Sequence, residues 1–461
     1  MELVSSPQRL ILALVIGMCI LVYMVLKTKI HTFIAMILTC IIIGVIGAIP
    51  FSNMTDSIAK GFGNTLGNIG IIIGLGVMMG AVFEASGAAK TMAGTFLKIF
   101  GKGKEDISML LTGFLVSIPI FCDAGFVILA PLAKSLSKAT KKSIILISGA
   151  LAGGLVITHT LVPPTPGPVG VAGIFGINLG SFILWGIVVS IPMAIAMLIY
   201  FRKIQYKLYQ LPADEDSEEQ WVRPNEIIKT VEEISAYNDE NLPGVVMSFA
   251  PIVIPIILIL LNNVSNVILK DNNSRLIEVI NFLGTPVIAV LIGTLVAIFG
   301  LTKNMDKNQT LNFMEEGIKD VGTILLVTGA GGALGAVMSD SGLGNYIANI
   351  LANFNIPPVI LPIIISTMMR FIQGSGTVSM ITAASITAPV LSGLDVNMIA
   401  AALGCCVGGI FFGFYNDSFF NVVTRTIGIK EAKEQIKVWS IPTTIAWAVG
   451  VVMVILIDLF I

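Results

Sequence analysis

Two aspartates stand alone in long stretches that carry no other charge. Asp123 is the only charged residue between Asp106 and Lys134, and Asp417 the only one between Asp395 and Arg425. His159 is one of two histidines in the chain, the other being His31. An ionisable group set in apolar surroundings costs about 2.5–3.5 kcal/mol on membrane-insertion scales, so its presence points to proton relay or ligand contact. The bland alternative for either aspartate is a cap on a helix N-terminus. For Asp123 proton coupling and substrate contact come ahead of capping; for Asp417 coupling and capping stand level. His159 titrates near physiological pH as a proton-coupling residue, or packs as a neutral side chain.

Neutral polar groups suited to a small hydroxylated anion lie around these residues. Gln373-Gly-Ser-Gly-Thr377 has the composition of a backbone anion nest. Gly374 and Gly376 let N–H groups approach a carboxylate, while Ser375 and Thr377 add hydroxyl donors. Arg370 stands about one turn earlier, placed to pair with the substrate's carboxylate or to snorkel to the outer interface. Thr160 and Thr165 flank and enter the proline run Pro163-Pro-Thr-Pro-Gly-Pro168, whose freed carbonyls are further acceptors. Ala124 and Gly125 extend the Asp123 segment, and Asn416 and Ser418 flank Asp417. These residues are the candidate substrate contacts, with Asp123, Asp417 and His159 as candidates for the proton. Glu84 and Asp340 are expected near the membrane surfaces.

The pattern does not suggest an enzyme. No G-x-x-x-x-G-K-[ST] loop is present for nucleotide-driven work, no Cys/His/Asp cluster has metal-ligand spacing, and no cofactor is implied. The five cysteines lie in apolar segments and are expected to pack. A net charge of −1 gives no basic surface for nucleic acid.

The elements that must position these groups are transmembrane helices. Of 461 residues 55% are hydrophobic and 12% charged, with mean hydropathy +0.92; soluble domains carry about 25% charged residues. Charge-free stretches run over Leu10–Leu26, Thr160–Phe201, Gly244–Leu269, Val279–Thr302, Ser341–Met369 and Phe371–Leu394, and roughly 20 apolar residues cross a bilayer. One polar stretch, 202–243, divides the chain and contains Asp214, Glu215, Asp216, Glu218, Glu219, Glu232 and Glu233. It is read as an acidic cytoplasmic linker between membrane halves 1–201 and 244–461. Arg202, Lys203 and Lys207 at its start, and Lys134, Lys138, Lys141 and Lys142 earlier, mark the cytoplasmic side.

The halves repeat. Gly80-Ala-Val-Phe-Glu-Ala-Ser-Gly87 returns as Gly335-Ala-Val-Met-Ser-Asp-Ser-Gly342, 255 residues later, and the same offset carries Gly153-Gly154 onto Gly408-Gly409. Lysine placement makes the repeats inverted. In the first half, helices are expected over 10–26 and near 33–49 and 69–84, a re-entrant hairpin over 107–131, a helix from Ser143 interrupted at the prolines, and a last helix over 181–201. In the second, helices are expected near 244–261, 279–302 and 321–339, a hairpin over 358–394, a helix over 396–412 interrupted at 415–418, and an exit over 439–457. The expected fold is an all-α polytopic membrane protein of two inverted repeats, with re-entrant hairpins, interrupted helices and ten crossings. Paired breaks of this kind free backbone groups for a central binding site.

Four segments carry a family resemblance: His159-Thr-Leu-Val-Pro-Pro-Thr-Pro-Gly-Pro168, Ile118-Pro-Ile-Phe-Cys-Asp-Ala-Gly-Phe126, Gln373-Gly-Ser-Gly-Thr-Val378 and Asn416-Asp-Ser418. Nearly the whole chain resembles the gluconate permease family of proton symporters, within a larger ion-transporter group. The resemblance implies inverted repeats divided into a scaffold and a moving part. It also implies uptake of gluconate or a related hydroxy-acid with protons across the cell inner membrane. D-Serine as substrate and sodium as coupling ion remain alternatives, and a homodimer is compatible with such an architecture.

Overall fold

The computed structural model describes residues 7–213, 220–224, 242–268, 275–303, 305–341, 357–394, 396–414 and 417–460. The acidic residues Asp214–Glu219, Glu232 and Glu233 of the linker, the repeat residue Gly342, and Asn416 lie outside the described residues. Helices dominate because a segment in hydrocarbon must satisfy every backbone group within itself.

The first repeat opens with α1 (Pro7–Lys27), α2 (Thr32–Ile46), a long α3 (Phe51–Ala85) and α4 (Ala88–Phe100). A hairpin follows, α5 (Glu105–Val116) and α6 (Cys122–Thr140), then the interrupted pair α7 (Ile144–Leu161) and α8 (Pro166–Phe175), then α9 (Leu179–Ile204). Two short strands, β1 (Leu211–Pro212) and β2 (Trp221–Val222), pair antiparallel in the linker. The second repeat has α10 (Val245–Ile268), α11 (Arg275–Leu283), α12 (Pro286–Leu301) and a long α13 (Lys307–Asp340). Its hairpin is α14 (Ile360–Gln373) with α15 (Gly376–Leu391), and its interrupted pair α16 (Met398–Gly408) with α17 (Ser418–Thr426). A short α18 (Ala432–Gln435) and a π-helical turn (Ile436–Ser440) lead into α19 (Ile441–Phe460).

The 255-residue offset carries α3 onto α13 and the first hairpin onto the second to within a few residues at each end. Packing obeys the same exchange. The long helices α3 and α13 lie together, α2 packs on α13, and α12 packs on α3. Likewise α6 packs on α17 and α15 on α8, so each hairpin leans on the interrupted helix of the other repeat. This exchange brings the four breaks to one region. The interrupted pair α7–α8 is wholly buried over its apolar window, as broken backbone at membrane depth requires.

Three expectations change in detail. The helices expected from residues 69 and 321 begin at Phe51 and Lys307. Hydropathy stops at the membrane boundary, whereas a helix continues through polar residues such as Asp56, Lys60, Glu315 and Lys319. The helix expected over 279–302 is two, α11 and α12, bent by 67° where Gly284 and Pro286 interrupt the hydrogen-bond ladder. The ten crossings include segments too short to span unaided. Among the described residues four helical segments are long and apolar enough to cross, and two bent pairs raise that to six. The hairpin arms α14 and α15 and the half-helix α16 are 14, 16 and 11 residues long.

Described parts of the linking segment bind α6 of the first repeat and the 427–434 stretch of the second. Gln210 donates to the Ile427 carbonyl at 2.6 Å and accepts from Arg223 at 2.9 Å. Arg223 forks onto Glu434 at 2.8 and 2.7 Å, which raises the guanidinium pKa above its ordinary value. Lys134 of α6 stands 5.1 Å from the Trp221 ring centroid.

Helices α5 and α7 touch backbone on backbone. A Cβ at Gly154 of α7 would lie 2.2 Å from the Leu110 carbonyl oxygen of α5, and one at Gly113 would lie 2.3 Å from that of Leu151. No flexible side chain is there to yield. Gly154→Val is therefore expected to destabilise by about 1–3 kcal/mol or more, read as a lower melting temperature in detergent. Gly63→Ala, whose Cβ would meet nothing within 4 Å, is expected to melt like the wild type.

Candidate functional site at the hairpin tips

The first tip spans Ser117–Phe121, between α5 and α6. Ser117 closes it by donating to the Ile120 carbonyl at 3.2 Å, and extended Phe121 caps α6. Asp123 thus sits in the first turn of α6, where the helix dipole favours a negative charge. It is not the cap. Its Oδ1 is buried without a hydrogen-bond partner, and its Oδ2 accepts from the Ser418 hydroxyl at 3.4 Å. Ala124 is half-buried and Gly125 buried behind it, against Leu155.

At the second tip, Gly374 takes φ +77°, a left-handed turn that costs glycine little. Ser375 caps α15 by accepting from the Val378 N–H at 3.3 Å. Gly376 faces the Gly409 carbonyl and Thr377 lies against Gly167. The Gly-Ser-Gly segment is therefore packed on protein backbone.

Asp417 does two things at once. Its Oδ1 caps α17 by accepting from the Phe419 N–H at 3.1 Å, and its Oδ2 accepts from Arg370 Nη2 at 2.6 Å. Both side chains are buried, at 5% and 9% exposure. Arg370 also donates to the Gly374 carbonyl, so it ties the second tip to the start of α17 and does not reach the outer interface. Removing one member of a buried ion pair leaves the other uncompensated. Asp417 has its counter-charge. Asp123, one serine away, has none within salt-bridge distance among the described residues.

The remaining candidates lie apart from this trio. His159 stacks at 5.5 Å on Phe121, its Nδ1 buried without a hydrogen-bond partner. The Thr160 hydroxyl returns to the Val156 carbonyl at 2.6 Å, and that of Thr165 bonds the His159 and Val162 carbonyls at 3.0 and 2.8 Å. Both threonines are buried, and their hydroxyl hydrogens already serve the broken helix. Among the described neutral candidates, Ser418 joins the charged cluster through its hydroxyl and Gly374 through its carbonyl. Among the described residues no cluster of three or more His, Cys, Asp or Glu is placed to hold a metal ion.

A cavity of about 410 Å³ reaches the first tip at Pro119, Ile120 and Phe121, between α3 and the start of α13. It falls within the 300–1,000 Å³ of small-molecule sites. Glu84 and Glu316 line its mouth, at the end that the lysines of 90–104 and 303–307 mark as cytoplasmic. Glu84 was placed near a membrane surface from sequence; Glu316 carried no sequence signal. A second cavity of about 300 Å³ uses Gly332, Gly335 and Ala336, the repeat equivalents of Val77, Gly80 and Ala81 in the first. It reaches Ala388 and Pro389, far from the second tip.

The two repeats are therefore out of register. A Cβ at Gly80 would meet the Pro119 carbonyl of the first tip, whereas one at Gly335 would meet the Ser385 carbonyl. Ser385 lies eleven positions beyond Gly374, the equivalent of Pro119. At the helical rise this is a displacement of roughly 15 Å along the long helices. It sets both tips toward the Glu84 and Glu316 ends of the two long helices.

Inverted repeats that meet through broken helices around buried charges are the architecture of a membrane transporter. The chain belongs to the GntP permease family, whose model matches residues 9–460. It is 46% identical over 454 residues to an uncharacterized permease of Haemophilus influenzae, covering 97% of this chain and 92% of that protein. It is 31% identical to the inner membrane permease YgbN of Escherichia coli (94% and 95% covered) and 30% to a gluconate permease of Pseudomonas aeruginosa (99% of each). The fold is similar to that of Neisseria gonorrhoeae MtrF, with TM-score 0.67 at 13% identity, covering 95% of this chain and 97% of that one. The protein is a multi-pass inner-membrane permease, not an enzyme.

Arg370→Gln alone is expected to cost about 3–5 kcal/mol of stability, and Asp417→Asn in the same chain to return part of it. Thermal melting of the two single variants and the double variant measures this coupling. Strictly additive losses would contradict a direct pair.

Proposed function

We propose that the chain is a symporter that imports gluconate or a related small hydroxy-acid with protons. The observation that carries this reading is the charge count at the tips: the Arg370 guanidinium pairs with Asp417, and Asp123, one serine away, is a second carboxylate with no salt-bridge partner among the described residues. The cluster is neutral when Asp123 holds a proton and carries one negative charge when it does not. A neutral cluster no longer repels an anionic substrate beside the first tip, so proton and anion favour each other's binding. Ser418, hydrogen-bonded to Asp123, reports that protonation state to α17 and through it to the second hairpin. Family membership and the gluconate permeases at about 30% identity support the substrate class.

The register difference supports the movement. In repeats related by inversion, the opposite-facing state exchanges the two registers, with the first tip drawn inward along α3 and the second withdrawn along α13. The hairpins and interrupted helices pack as one body, so the tips travel together by roughly 15 Å.

Labelled gluconate in proteoliposomes is expected to accumulate under an imposed gradient with the interior alkaline. Collapsing the gradient should abolish accumulation, and replacing sodium with choline should leave it unchanged. Asp123→Asn is expected to lose gradient-driven accumulation while retaining exchange of internal for external substrate. Accumulation by that variant at the wild-type level, or dependence on sodium in place of protons, would overturn the proposal.

A further inference from the structure

At the cytoplasmic end of α9 lies a cavity of about 570 Å³ that takes no part in the tips. Its charged lining is Lys141, Lys142, Arg202 and Lys203 against Asp106. Buried Asp106 accepts from Arg202 Nε at 2.6 Å, and Lys142 pairs with buried Glu105 at 2.8 Å. Lys142 also reaches Asp106 at 3.7 Å, so Arg202 and Lys142 together match the two acids, and among the described residues the cavity keeps a positive surplus that includes Lys203. Arg202 commits only Nε to that pair, and a guanidinium has five N–H donors in a fork suited to phosphate. Tyr206 and Tyr209 complete the rim, a residue type enriched at the membrane–water interface.

One wall of the cavity is Ile199, and this residue ends an apolar stripe. Leu184, Val188, Ile191, Ile195 and Ile199 are each 41–51% exposed and fall on one face of α9. Over fifteen residues the stripe is roughly 22 Å long, against about 15 Å for one leaflet's share of a 30 Å hydrocarbon core. A cationic, tyrosine-rimmed cavity at headgroup level above an acyl-length apolar track matches one class of molecule.

We propose that this cavity binds the phosphate headgroup of an anionic phospholipid from the cytoplasmic leaflet, with its acyl chains along α9. The charge surplus selects an anion, and the stripe selects a lipid over a free one.

The test uses the full-length purified protein, delipidated in detergent, with melting followed as phosphatidylglycerol, phosphatidylcholine or inorganic phosphate is added. Phosphatidylglycerol is expected to stabilise the wild type more than phosphatidylcholine, and phosphate alone to do little. Lys203→Gln should weaken the apparent affinity for phosphatidylglycerol about fivefold, the effect of one interfacial lysine. Lys303→Gln, an exposed cytoplasmic lysine outside the cavity, should leave it unchanged. Native mass spectrometry should show retained phosphatidylglycerol on the wild type and less on Lys203→Gln. Equal stabilisation by the two lipids, equal loss in both lysine variants, or full stabilisation by phosphate alone would each overturn the assignment. So would a second copy of the chain, in place of lipid, protecting the α9 stripe from thiol labelling of an Ile195→Cys variant.

Discussion

The contact on which the rest of the site depends is the buried bridge between Arg370 and Asp417. A guanidinium and a carboxylate taken out of water are tolerated because each also has further hydrogen bonds: Asp417 caps α17 and Arg370 serves the Gly374 carbonyl. The bridge fixes the tip of the second hairpin to the interrupted helix of its own repeat. Packing of α6 on α17 then brings Asp123 from the other repeat to within one hydroxyl of it. The extra carboxylate is thereby held where its charge has no salt-bridge partner among the described residues. Without the bridge, Asp123 would be one of two unmatched acids.

The fold supplies that arrangement through exchange between repeats. Long helices α3 and α13 form a common spine, each flanked by the second helix of the opposite half. Against it the hairpins and broken helices pack as one body, stiffened where glycine lets α5 and α7 touch backbone to backbone. Such a body has few ways to deform internally, so motion is concentrated at its boundary with the spine. The eleven-residue difference in register between the halves lies at that boundary.

Much of this was legible in the residues alone. Isolation in apolar sequence singled out Asp123 and Asp417, and proline and glycine runs located the breaks. The 255-residue recurrence revealed the repeats, because these features depend on chain-local energetics. What pairs with what depends on tertiary packing. Arg370 is 47 residues from Asp417, and snorkelling stayed open to it until the fold placed the two together. Asp417 is the cap that the sequence offered as the bland alternative to coupling, and also the partner of Arg370, a pairing that no local pattern indicated. Thr160 and Thr165 looked available for substrate, yet their hydroxyls return to carbonyls within their own broken helix. The Gly-Ser-Gly nest faces Gly409, where no local pattern announces a close backbone neighbour.

The account is tested most directly by counting protons taken up when substrate binds to the purified protein in weakly buffered solution, with a pH indicator and no membrane gradient. Gluconate is expected to draw a proton onto the wild type as it binds, and to bind Asp123→Asn without any proton change. Equal proton uptake by both proteins would place the coupling proton elsewhere and contradict the central role given to the unmatched carboxylate.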